Sequence, residues 1–83
     1  MQYKIFVCDK HNSSEYNLKA DNCDKAVQGI LQLLHYSGCH YIEISGSDYY
    51  TLLLNGSYMA VLIEDLDTHE LRYYKVYTIN IKS

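Results

Sequence analysis

At 83 residues, with 48% hydrophobic and 20% charged side chains, the chain can form one small domain over 1–83 with a thin core, and it is too apolar for intrinsic disorder. Its longest uncharged apolar run, Tyr58 to Ile63, falls far short of the roughly 18 residues a membrane helix needs, and MQYKIFVCDK lacks a secretory pattern, so a membrane location is excluded and a cytoplasmic one expected. Net charge is only −3, yet no Lys or Arg falls between Ala26 and Leu71, where Glu43, Asp48, Glu64, Asp65, Asp67 and Glu70 all lie; phosphate contacts need basic side chains, so direct nucleic-acid binding is excluded as well.

Residues 2–8, QYKIFVC, alternate Tyr3, Ile5 and Val7 against Lys4, Phe6 and Cys8, which predicts a strand. DKHNSS supplies turn formers, and residues 15–20, EYNLKA, are expected to return antiparallel. In DNCDKAVQGILQLLHYSG the period becomes 3.6, with Cys23, Ala26, Val27, Ile30, Leu31 and Leu34 on one face. Asp21 is the expected N-cap, Asp24 takes the place of the capping-box Glu, and Gly38 is the expected left-handed stop. The helix should span about Asn22 to Tyr36, with Gly29 costing about 1 kcal/mol relative to alanine.

HYIEIS, YYTLLLN, SYMAVLIE and LRYYKVYTINIK then read as four strands. Asn55-Gly56 suits a type I′ turn, since both residues tolerate positive φ. That turn pairs Leu54 with Ser57 and, at the far end, Tyr49 with Leu62. One hairpin face then carries Tyr50, Leu52, Leu54, Met59, Val61 and Ile63 and is expected under the helix. The other carries Tyr49, Thr51, Leu53, Tyr58, Ala60, Leu62 and Glu64 and is expected to stay open. In the last strand Tyr74 and Val76 follow one parity and Ile79 and Ile81 the other, so a bulge is expected near Tyr77. The predicted fold is α+β, a mainly antiparallel sheet with one helix packed on one face, in the order ββαββββ.

Cys8, His11, His35 and Cys39 have the pairwise spacing of a zinc site. The same residues also read as a small apolar strand residue, a turn residue and a helix-end histidine, and no cofactor is expected. Cys39 and His40 are neighbours on a strand and point to opposite faces, so they cannot activate each other, and no phosphate loop is present. A catalytic assembly is therefore not expected. Ten tyrosines against one phenylalanine and no tryptophan suit a contact surface, because tyrosine combines flat area with a hydroxyl that stays satisfied in water. The expected partner-binding set is Tyr41, Glu43, Asp48, Tyr49, Tyr58, Glu64, Asp65, Asp67 and Glu70, facing a protein with a basic surface. A homodimer that buries the tyrosine face on itself is the alternative.

YNLKADNCDKAVQGILQLL, residues 16–34, resembles a strand-to-helix unit of many small α+β phage and plasmid proteins. As a short, acidic chain without an active site, the protein resembles the small phage-encoded anti-defence proteins, in particular the anti-CRISPR proteins. The resemblance implies an inhibitor that occupies a nucleic-acid-binding or docking surface of a host effector complex, such as a CRISPR effector subunit. A structural or regulatory homo-oligomer and a small zinc module are the other readings.

Overall fold

Alternation along QYKIFVC produces the first strand, β1 (Gln2–Cys8), with Tyr3, Ile5 and Val7 turned inward. A computed structural model describes residues 1–9, 12–35, 39–55 and 59–78 of the protein. After β1 come β2 (Ser13–Lys19), α1 (Cys23–Leu33), β3 (Cys39–Ile44), α2 (Gly46–Asn55), β4 (Met59–Asp65) and β5 (Leu71–Thr78). The strands form one sheet in the order β2-β1-β4-β5-β3, with every neighbouring pair antiparallel. The fold is α+β, as the sequence implies. It follows ββαββββ except that the fourth expected strand is a helix.

The chemistry of that exception is local. Ser45 Oγ accepts the Asp48 backbone N–H at 3.1 Å, and its carbonyl takes the Tyr49 N–H at 3.0 Å. Ser45 with Asp48 three residues on is the pattern of a capping box, and Leu52 to Leu54 are good helix formers without β-branching. Asn55 ends this helix instead of opening a hairpin; Gly56, Ser57 and Tyr58 lie outside the described residues. The expected hairpin register is replaced by pairing of β4 with β1 and β5.

The helix also reverses the expected faces. Tyr49 is 3% exposed, whereas Tyr50 is 59% and Leu54 88% exposed. β3 and β4 both run antiparallel to β5 and hence parallel to each other, and α2 joins them across one face of the sheet. Its anchor there is Tyr49, whose ring lies 5.1 Å from that of Tyr73.

α1 covers the opposite face. Its Ala26, Val27, Ile30 and Leu31 pack on Tyr3, Ile5, Val7, Val61, Ile63, Tyr74 and Val76. Each fully buried Ile or Val in this layer contributes about 1.5–3 kcal/mol through burial. The N-cap is Asn22 and not Asp21: its side-chain oxygen accepts the Lys25 N–H at 2.9 Å. The helix ends at Leu33, earlier than Tyr36, and His35 takes the left-handed conformation expected of Gly38, with φ 61°; residues 36–38 lie outside the described residues. Gly29 has a packing reason, because a Cβ there would stand 3.0 Å from Leu18 Cδ2, where α1 meets β2. β5 pairs with β3 without interruption from Tyr73 to Thr78, so there is no bulge at Tyr77; Ile79 and Ile81 lie outside the described residues. Among the described residues no helix is long and apolar enough to cross a membrane.

Candidate functional site

On the α1 face, the N-terminal turn of α1 stops short of the sheet end where β3 and β4 finish and β5 begins. An open groove of about 640 Å³ lies there. Strand parity brings its walls together: Tyr41 and Glu43 alternate onto this face of β3, and Arg72 and Tyr74 onto this face of β5. Asp24 enters from the first turn of α1, and Asp65 and Glu70 from the two ends of the β4–β5 turn.

The groove is held by polar contacts that leave capacity unused. The Tyr41 hydroxyl donates to Asp24 Oδ1 at 2.7 Å and accepts from Gln28 Nε2 at 3.1 Å. These two bonds tie the edge strand to the helix, and within α1 Gln28 also donates to Asp24 Oδ2 at 3.3 Å. Arg72 reaches Glu43 at 3.3 and 3.4 Å through one guanidinium nitrogen. Both side chains are well exposed, and such a pair contributes no more than about 1 kcal/mol. Four carboxylates, of Asp24, Glu43, Asp65 and Glu70, therefore face one basic side chain among the described lining residues.

Asp65 has a structural task besides. It is 6% exposed, and its Oδ1 accepts the N–H groups of Asp67 and Thr68 at 2.9 and 3.4 Å. This is the side-chain turn that Asp favours, and it lets His69 adopt φ 61°.

Burial raises the phenol pKa of three lining tyrosines. Tyr74 is pushed up to about 12, first by burial and then by Glu43. Tyr3 is raised by burial and by Cys23, and Tyr41 by burial and by Asp24 against the opposing Gln28 hydrogen bond. Burial likewise lifts the Cys23 thiol, opposed by its hydrogen bond with Tyr3 and by Arg72, so the thiol stays protonated and poorly nucleophilic. Glu43 is the main cause that holds Arg72 above its ordinary pKa. The groove thus offers carboxyl groups, phenols held neutral by burial and the Arg72 guanidinium, a set suited to a basic or hydrogen-bonding side chain.

Of the residues expected to bind a partner, Tyr41, Glu43, Asp65 and Glu70 meet in this groove. The others do not. Asp48 is exposed in the first turn of α2, and Tyr49 is buried beneath that helix on the other face. Glu64 also belongs to that other face and pairs with His69 at 3.0 Å, and Asp67 is exposed in the turn. Tyr58 lies outside the described residues. The expected partner-binding set is therefore divided between the two sides of the sheet, and the open hairpin face expected from the sequence does not form, because Tyr49 is buried under α2 and Ala60 is buried in β4. Asp24, Arg72, Tyr3 and Tyr74 join the groove without having been marked by the sequence pattern. Arg72 and Tyr74 had a usable signal, since they share one parity at the start of a strand.

The zinc spacing does not converge. Cys8 lies on the α2 face beside Tyr49, and Cys39 packs against the α1 core on the opposite face. His35 follows the C-cap of α1, and His11 lies outside the described residues. Among the described residues no three His, Cys, Asp or Glu side chains are grouped to hold a metal ion. No protein-family model matches the chain, and comparison with curated proteins and with solved structures finds no similar protein.

Proposed function

We propose that the protein is a non-enzymatic protein-binding inhibitor whose groove between α1, β3 and β5 receives basic side chains of its partner. The observation that carries this reading is the convergence of Asp24, Glu43, Asp65 and Glu70 with Tyr41 and Tyr74 on one open groove that has a single basic side chain among its described lining residues. The carboxylates match Lys and Arg groups that would otherwise hold phosphate, and the tyrosines supply anchoring area at the centre of the contact. In the cell, the role that fits is that of an anti-CRISPR-type protein: it acts in the host cytosol and occupies a nucleic-acid-binding surface of an effector complex.

The test is affinity capture from host lysate, identification of the partner, and titration of the purified pair across a salt series. Glu43→Lys combined with Glu70→Lys leaves the Asp65 turn intact and should weaken binding by at least about tenfold per reversal, about 1.4 kcal/mol each. Wild-type binding should also fall with rising salt and should displace nucleic acid from the partner. Binding that is unchanged in the double variant and flat with salt would overturn the proposal.

A further inference from the structure

β2 is an edge strand, and neither a bulge nor a proline blunts its outer side. Its register with β1 is unbroken from Gln2↔Lys19 to Cys8↔Ser13, so it has no bulge, and the chain has no proline. A bare, regular edge of this kind is a template for another strand. Its two faces differ in character. Tyr16 and Leu18 turn toward α1 and are half-buried, while Glu15, Asn17 and Lys19 are exposed on the α2 face.

Those positions are self-complementary. If two copies of β2 lie antiparallel about a two-fold axis through Asn17, Glu15 of each stands opposite Lys19 of the other, and Tyr16 opposite Leu18. Moving the axis to Tyr16 sets Glu15 against Asn17, and moving it to Leu18 sets Glu15 against Asp21, a like-charge pair. A slip by one residue puts Tyr16 against Asn17 and mixes apolar with polar. Glu15 also meets Lys4 of its own strand pair at 3.3 Å, and the Asn17 register alone sets Lys19 against a carboxylate while matching both apolar positions. The other edge, β3, has no such property, because Glu43 is its only acidic residue and it carries no Lys or Arg.

The space beside the edge fits the same arrangement. A cleft of about 400 Å³ opens between α1 and β2, lined by Leu18, Gly29, Gln32, Leu33 and His35, and Leu33 is 56% exposed at its margin. A Tyr16 placed opposite Leu18 by the second copy stands at the mouth of that cleft. We infer that the protein self-associates by antiparallel pairing of β2 with β2 of a second copy, about a two-fold axis through Asn17, to make a ten-stranded sheet. The axis is perpendicular to the sheet, so both α1 helices lie on one face and meet across Leu33. The acidic groove lies toward the β3 side of each copy and stays open.

The wild-type protein should sediment as a dimer at about 0.1 mM, where contacts with micromolar dissociation constants are formed. Glu15→Lys should raise the dissociation constant by about tenfold by setting lysine against lysine at both symmetric positions, and Glu15→Lys with Lys19→Glu should restore it. Asn17→Cys should give a covalent dimer on mild oxidation, since residues paired across an antiparallel ladder have Cα atoms about 4.5–5.5 Å apart, within disulfide reach. Ser14→Cys, far from the axis and paired with Val7 in its own chain, should behave like the wild type, which carries the same Cys8, Cys23 and Cys39. A wild-type monomer at that concentration, a charge swap that fails to restore association, or an Asn17→Cys variant that does not cross-link would each overturn the inference.

Discussion

Replacing Tyr49 with alanine is the sharpest test of how the second helix is held. Tyr49 is the buried residue of α2, and its ring lies 5.1 Å from Tyr73 and 5.5 Å from Tyr50. Truncating a buried large aromatic costs about 3–5 kcal/mol, and each lost ring pair adds about 0.5–1.5 kcal/mol beyond area. A domain of this size has a total stability of about 4–12 kcal/mol at 0.05–0.15 kcal/mol per residue. Tyr49→Ala should therefore remove a third or more of it, and a loss of about 4 kcal/mol lowers the melting temperature by about 15–30 °C. The assay is urea unfolding followed by far-ultraviolet circular dichroism. Detachment of α2 should also lower the denaturant slope, because less surface remains to be exposed. Tyr50→Ala, one residue on and exposed, should stay within about 0.5 kcal/mol of wild type. The packing argument fails if Tyr49→Ala costs less than about 1 kcal/mol, or if the two variants are equal.

Two further outcomes follow from the same structure. Ser45→Ala removes the oxygen that accepts the Asp48 N–H and should cost about 0.5–2 kcal/mol, measured by the same unfolding curve, with Ser45→Thr close to wild type. Stability should also fall at alkaline pH: burial is the first cause that raises the phenol pKa of Tyr49, and Tyr74 is raised to about 12. The folded state therefore favours the neutral phenols, and their contribution is complete below about pH 10, where free tyrosine titrates, and is lost as pH rises toward 12. Melting temperature against pH, together with tyrosinate absorbance, should show the loss and the ionisation occurring together.

The parts of the fold that could be read from residues were those where one period dominates. Tyr3, Ile5 and Val7 in β1, and Ala26, Val27, Ile30 and Leu31 in α1, occupy the core for the reason their spacing implies. YYTLLLN was ambiguous in kind: its apolar residues are nearly continuous, so neither period stands out. The deciding information lay outside the run, in the Ser45–Asp48 cap. Asn-Gly, which favours a hairpin turn, is equally apt after a helix, because positive φ serves both. The acidic groove was legible only in part for a different reason. Glu43, Asp65 and Glu70 stand out in a cation-free interval, but their company with Asp24 and Arg72 depends on which strands become neighbours. Strand order is a long-range property that composition does not carry.

That order bears on how the chain assembles. β3 has one neighbour in the sheet, β5, and β5 also closes the sheet against β4. During synthesis the β1–β2 hairpin can form early, and β4 can dock on β1 once it emerges. β3, made before either β4 or β5, has no strand to join until residues 71–78 slide between it and β4. The insertion of β5 completes the sheet, but the contacts most distant in sequence are those of β1 with β4, from Cys8↔Ala60 to Tyr3↔Asp65, and those of β3 with β5 reach only as far as Cys39↔Thr78, so the docking of β4 on β1 is the step that should set the folding rate.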